Sequence, residues 1–299
     1  MTALTVTHTT IYRYASPVVF GEHRMMMRPR DSHDLRLLKT ALELHPAASV
    51  RWIHDVFGNS VGIARFEQPA DELRVVSMFH AQHYPLPEGS VVIEEYARRY
   101  PFSYDVSEAP DIGRLAERHY GDAEHMVDAF ARRFLEETPG QDTLGILAAV
   151  TKAIKAEFTY NPRDEMGTQD PVTTLTSKTG TCRDYALLMM ETARSLGFAA
   201  RFVSGYLYDD SKIEDEADTL IGGGVTHAWA EIYLPGAGWV PFDPTNGLIS
   251  DRNLIRVAVT RDPSQAVPLK GSFTGKPGDF LGMEVSVEIR VPPVTDQAS

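Results

Sequence analysis

The hydrophobic pattern changes character twice along the chain, from strand-like to helical and back, and that order limits the folds it can adopt. In the first hundred residues, stretches 5–14, 37–45, 49–56, 61–66 and 73–83 are rich in Val, Ile, Thr and aromatic side chains. Turn signals such as Arg28-Pro29-Arg30-Asp31 and Phe57-Gly58-Asn59-Ser60 separate them. Short strands at this spacing predict a sandwich or a small barrel. Near residue 85 prolines and charges take over, which reads as a linker with one short helix. Helical spacing follows, with Met126, Val127, Phe130, Ala131 and Phe134 on one stripe of 123–137. Asp142 is placed to cap a helix carrying Leu147, Val150, Ile154 and Phe158. A polar loop over 161–181 leads to a second helix from Cys182 to about Leu196, closed by Gly197. Strands are then expected at 199–208, 226–234, 239–242, 255–259 and 283–291. Two domains follow, 1–100 and 101–299, with the boundary at about 85–110 and a β-rich tail on the second.

A chain of 299 residues has room for both domains. Its 41 acidic and 29 basic residues leave a net charge of −12, which argues against nucleic acid as a partner. No run approaches the roughly 18 apolar residues of a membrane span, so no membrane partner is expected. The N-terminus "MTALTVTHTTIYRY" lacks a basic region followed by an apolar one, and the expected compartment is the cytoplasm. One cysteine excludes an internal disulfide and a Cys-pair zinc cage. Seven of the ten histidines fall in the first hundred residues, none at a trusted ligand spacing, so they read as strand or surface residues. No metal and no cofactor are expected. Residues 209–224, "DDSKIEDEADTLIGGG", hold six acids and three consecutive glycines and read as a solvated insert. Their place just before His227 would also suit a substrate-facing lid.

The lone cysteine sits in "GTCRDY" at a helix start, where free N–H groups and the dipole favour a thiolate. Its own N–H is also placed to donate to an oxyanion. Taken alone, Cys182 fits either a nucleophile or a small apolar helix residue. His227 opens "HAWAEIYL", and Asp243 ends the strand "GWVPF" that follows. If Leu234 pairs with Gly238 around a three-residue loop, Trp229 lies opposite Asp243, and His227 becomes its diagonal neighbour on one face. A loop of two or four residues would place them on opposite faces. Singly, His227 could be a satisfied strand histidine and Asp243 an Asp-Pro turn residue. Together the three residue types supply a nucleophile, a base and acid, and a carboxylate that fixes the imidazole tautomer.

The stretches "GTCRDYALLMMETARSLGFAARFVSGYLY" and "HAWAEIYLPGAGWVPFDPTNG" resemble the transglutaminase-like superfamily of papain-like cysteine enzymes, most closely its bacterial and archaeal branch. The shared pattern is Gly-x-Cys-x-Asp, Arg-Phe-Val-Ser-Gly-Tyr, His-Ala-Trp-x-Glu and Gly-Trp-x-x-x-Asp-Pro-Thr, in that order. "YRYASPVVFGEHRMMMRPR" and "DVFGNSVGIARF" resemble the N-terminal domain often fused to this core. The resemblance weakens after about residue 260. It implies an α+β protein: a β-sandwich-like N-terminal domain, then a papain-like core whose Cys-bearing helix packs on an antiparallel sheet. It also implies Cys182 as nucleophile, His227 as base and acid, and Asp243 as the orienting carboxylate. Asp184 would hold the helix start, Trp229 would serve packing, and Tyr160 would be a second oxyanion donor. Leu187 departs from the family, which often has His there, and the 209–224 insert is longer than usual.

Such a site makes an acyl-enzyme thioester from an amide and passes the acyl group on. The expected activity is that of a peptidase or amidase on peptide or protein substrates, a preference that rests on the resemblance. Transfer to an amine, as in a transglutaminase, is the alternative, and a non-catalytic binding or scaffold protein is the rival from another class. Acyl transfer from a coenzyme A thioester finds no basic pocket signature. Oligomeric state is not legible.

Overall fold

The computed structural model describes residues 1–85, 89–162, 167–208, 226–249 and 252–291. Six strands form first: β1 (Thr2–Phe20), β2 (His23–Arg28), β3 (Leu35–His45), β4 (Ala48–His54), β5 (Ser60–Phe66) and β6 (Ala70–His83). Alternation decides what they bury, since successive side chains of a strand point to opposite faces. Along β1, Leu4, Val6, His8 and Thr10 are buried while the threonines between them are half-exposed. In β2 the run Met25-Met26-Met27 is buried throughout, because this strand lies in a middle layer. Met25 and Met27 pack with Tyr14, Val18, Phe20, Leu73 and Val75 of the outer sheet. Met26, with Val61 and Ile63, faces the other way into the helical core. Each such side chain, fully buried, is worth about 1.5–3 kcal/mol.

The second half contains α1 (Ala109–Ala116), α2 (Met126–Glu137), α3 (Thr143–Glu157), β7 (Thr159–Tyr160), α4 (Pro171–Ser177), β8 (Thr179–Gly180) and α5 (Cys182–Ser195). After them come β9 (Ala200–Leu207), β10 (Thr226–Leu234), β11 (Gly238–Phe242), β12 (Leu254–Thr260), β13 (Leu269–Lys270), β14 (Phe273–Thr274) and β15 (Phe280–Arg290). Strands β11, β10, β9 and β12 form one antiparallel sheet in that order. Against it lies α5, whose Ala186, Met189, Met190 and Ala193 share a core with Ala228, Ala230, Ile232, Ala200 and Phe202. Small residues on β10 let the helix approach closely. The architecture is the expected α+β one, a strand-rich sandwich and a papain-like core.

Three features depart from the sequence pattern. Helix α4 lies inside the segment expected to be a polar loop; Asp170 caps it by accepting from Thr173 N at 3.0 Å and Pro171 opens it, but seven residues are too few to display a helical period. Residues 23–28, outside the expected strand stretches, form β2. Most consequentially, the C-terminal tail pairs with the N-terminal sheets: β13 on β2, and β14 and β15 on β1. Those partners lie more than two hundred residues apart, a distance no local pattern encodes.

The two halves also meet through buried histidines. His8 Nδ1 lies 2.9 Å from Tyr206 Oη and His83 Nδ1 lies 2.8 Å from Tyr208 Oη, joining β1 and β6 to β9 and its C-terminal end. Burial lowers both imidazole pKa values to about 4, so both rings are neutral near pH 7. Both are strand histidines, as expected, and their rings also join the two halves. No described helix is long and apolar enough to cross a membrane.

Candidate active site

The start of α5 is assembled from a short parallel bridge and one carboxylate. Strands β7 and β8 pair Thr159 with Thr179 and Tyr160 with Gly180, bringing Tyr160 beside the residues that lead into the helix. At Gly180 a Cβ would lie 3.0 Å from both Asp184 Cβ and Tyr185 Cε1, so a side chain there would crowd the turn. Asp184 is fully buried and accepts from Thr181 N at 2.8 Å, Thr181 Oγ1 at 2.9 Å and Gln169 N at 2.7 Å. It therefore closes the helix end and ties down the incoming 167–169 segment. Cys182 is the first residue of α5, 8% exposed.

The hairpin that carries the other two residues has the register on which the geometry depends. Leu234 pairs with Gly238 and Ala230 with Phe242, leaving a three-residue loop at 235–237. Gly236 (φ +85°) and Gly238 (φ +72°) take the left-handed conformations the tight return needs. Continuing that register, Trp229 stands level with Asp243, and the buried His227 and Asp243 meet: the Nε2–H donates to Asp243 Oδ2 at 2.9 Å. Asp243 Oδ2 also accepts from Asn246 Nδ2 at 2.7 Å, while Oδ1 accepts from Thr245 N at 3.0 Å and Asn246 N at 3.3 Å.

Charge and burial compete on the imidazole. Burial alone would strip its proton, but the Asp243 charge and hydrogen bond, reinforced by the Cys182 side chain, raise the pKa to about 10. Asp243 is pushed the other way: burial favours its acid form, and His227 with the Asn246 donors overcomes that and lowers its pKa. The remaining imidazole nitrogen, Nδ1, is buried with no hydrogen bond of standard geometry. Cys182 nonetheless helps to raise the pKa of the ring, so the thiol lies near the imidazole that Asp243 holds. Tyr160 completes the cluster; burial first, then the charge of Cys182 and a hydrogen bond to it, push the phenol up to about 12. A phenol so placed stays protonated and able to donate near neutral pH.

Trp229 is 1% exposed and stacks on the imidazole with centroids 6.1 Å apart and ring planes 27° from parallel. Its indole lies over Gly205, the residue paired with His227, where a Cβ would come within 2.8 Å of Trp229 Cη2. Leu187, the departure from the family pattern, is a fully buried core residue. The acidic insert at 209–224 lies outside the described residues. Asn246 was not singled out from the sequence, although it stands in the turn "FDPTNG" beside a candidate carboxylate. Among the described residues, no group of three or more His, Cys, Asp and Glu side chains is arranged to hold a metal ion.

Comparison with known proteins agrees with this architecture. Residues 128–244 match the transglutaminase-like superfamily, and residues 4–82 match the bacterial transglutaminase-like N-terminal region. An uncharacterized protein of Mycobacterium tuberculosis is 29% identical over 293 residues, covering 94% of this chain and 91% of that protein. One of Mycobacterium leprae is 26% identical over 299 residues, covering 96% and 99%. A solved structure from Cytophaga hutchinsonii, described as a proposed cysteine protease, superposes with a TM-score of 0.69 at 19% identity, covering 98% of this chain and 92% of that one. At that identity the likeness is one of fold.

Proposed function

The chain belongs to the transglutaminase-like superfamily, and from that premise we propose that it is a cysteine-dependent acyl-transfer enzyme cleaving amide bonds of peptides or proteins. The observation that carries the reading is the buried imidazole bonded to Asp243 Oδ2, with its pKa raised by that carboxylate and by the nearby Cys182.

In the first half-reaction the Cys182 thiolate attacks the amide carbonyl carbon. The carbonyl π electrons move to oxygen, whose charge the Cys182 N–H at the helix start and the Tyr160 phenol would stabilise. The C–N bond then breaks and His227 gives its Nδ1 proton to the departing nitrogen, leaving a thioester. In the second half-reaction neutral His227 takes a proton from the incoming water, whose oxygen attacks the thioester. The C–S bond breaks and the thiolate returns beside the imidazolium. Asp243 stays ionised throughout, keeps the proton-bearing nitrogen on its own side, and stabilises the charged ring.

Cys182 is the only thiol, so alkylation by iodoacetamide reports on it alone. The expected result is rapid labelling at about pH 6–7 that slows sharply in His227→Ala. Labelling with the pH profile of an ordinary thiol, pKa about 8.5, would leave a scaffold on the same fold as the better reading. Ammonia release from a glutamine peptide, with and without added amine, then separates hydrolysis from transglutamination.

A further inference from the structure

We infer that the N-terminal domain holds the catalytic histidine in position, through a packed path from the loop at 55–59 to the back of the Trp229 indole; this rests on the catalytic reading of His227. The loop is rigid by construction. Asp55 Oδ1 accepts from Phe57 N at 3.0 Å and Asn59 N at 2.9 Å, and Gly58 (φ +73°) makes the turn between them. Its last residue, Asn59, is 2% exposed and leaves its own domain to join the core. The Asn59 carboxamide donates to Val259 O at 2.7 Å and accepts from Val259 N at 2.9 Å, satisfying both main-chain groups of one β12 residue. A third bond, from Asn59 Nδ2 to Asp55 Oδ2 at 2.9 Å, fixes the amide orientation.

The neighbouring Phe57 packs against the cluster of Val203, Leu207, Trp229, Leu254 and Val259. Within that cluster Trp229 is the member that stacks on His227. The imidazole therefore has three supports. Asp243 holds its edge, the β10 backbone holds its root, and Trp229 holds one face, backed by side chains that the N-terminal domain clamps. Little slack exists on the strand side, since the indole already lies across Gly205. Slack exists on the domain side: a cavity of about 180 Å³ lies at the seam, with Phe57, Asn59, Leu254 and Val259 in its wall. Removing the Phe57 ring would enlarge that void directly behind the cluster, and close packing would no longer fix the indole. Phe57 and Asn59 are positioning residues, since neither is placed to touch a reacting atom.

The test uses the full chain and the single thiol. Labelling of Cys182 by iodoacetamide is measured at about pH 6 and about pH 9, where the first rate reports the imidazolium–thiolate pair, the second reports access, and their ratio cancels access. Phe57→Ala is expected to lower the ratio about tenfold, and Asn59→Ala to lower it in the same direction. Phe57→Leu, which restores most of the volume, should recover it. Phe66→Ala serves as the control, removing a ring from the N-terminal core away from this path. If Phe57→Ala does not melt cooperatively, the comparison of Asn59→Ala with wild type decides, and an unchanged ratio in that variant overturns the inference. An equal fall in Phe66→Ala also overturns it, because the effect would then be general destabilisation. His227→Ala separates the two levels: if it leaves the ratio unchanged, the catalytic reading fails, whereas a low ratio there with wild-type ratios in the Phe57 and Asn59 variants refutes the positional role alone.

Discussion

Asp243→Asn changes the site by little more than one charge, and its consequences can be followed atom by atom. The carboxylate now accepts four hydrogen bonds, two on each oxygen. With the new amide oxygen toward Thr245 N and Asn246 N, its NH₂ group faces the Asn246 amide and His227 Nε2. Two donors then oppose each other at Asn246, and the imidazole must present a lone pair at Nε2. Its proton moves to Nδ1, the side on which Cys182 needs a base, so the ring is in the wrong tautomer. With the amide reversed, two backbone donors are left unpaired at about 1–3 kcal/mol each. Either way the charge that offsets burial is gone. Holding the His227 proton to a pKa of about 10 instead of 6.5 corresponds to about 5 kcal/mol, close to the 3–5 kcal/mol typical of breaking a buried ion pair. Without that support the ring is neutral near pH 6, and the imidazolium–thiolate pair that the proposed mechanism needs does not form. An ordinary thiol is then only about 0.3% ionised at about pH 6. Labelling of Cys182 at that pH should fall by about 300-fold and largely recover at about pH 9. Stopped-flow or mass-spectrometric iodoacetamide kinetics measure this, with a thermal melt to show that the variant is folded. A folded Asp243→Asn protein that labels at the wild-type rate near pH 6 would refute the reasoning.

The same pair makes stability depend on pH. The raised His227 pKa contributes fully below its unfolded value of 6.5 and is lost as pH rises through about 10, while the lowered Asp243 pKa contributes fully above 3.8 and is lost as pH falls below it. The difference in Tm between wild type and Asp243→Asn is therefore expected to peak between about pH 4 and 6.5 and to shrink steadily toward about pH 10. Tyr160→Phe should leave Tm almost unchanged and lower turnover of an amide substrate about 100-fold; an unchanged kcat would remove Tyr160 from the oxyanion site. Asp184→Ala strips the acceptor from Thr181 and Gln169 at the helix start and should cost about 2–3 kcal/mol in urea unfolding. Gly205→Ala would put a Cβ 2.0 Å from Ile255 O, a backbone atom that cannot move without parting β9 from β12, so a loss above about 3 kcal/mol is expected.

Much of the site could be read from the chain because its chemistry is written locally. A cysteine after a glycine at a helix start, and a histidine and an aspartate on consecutive strands, are short-range patterns fixed by helix ends and strand alternation. They limited the geometry to one condition, the hairpin register, and the pairing of Leu234 with Gly238 meets it. Five of the six strands of the N-terminal domain and the helices at 126–137, 143–157 and 182–195 were legible for the same reason. Asn246 escaped notice because a turn residue shows its use only when the carboxylate it serves is in place.

By itself, then, the sequence determined the residue types, the order of elements and which side chains could share a face, since propensity and periodicity act over a few residues. Only the tertiary structure decided which distant segments meet. It set β15 against β1, Tyr160 beside Gly180, and the loop carrying Phe57 and Asn59 behind the indole that faces His227. Those contacts join residues separated by up to about 285 positions. They exist because several sheets bury their faces against one another at once, and no single segment's pattern specifies that packing.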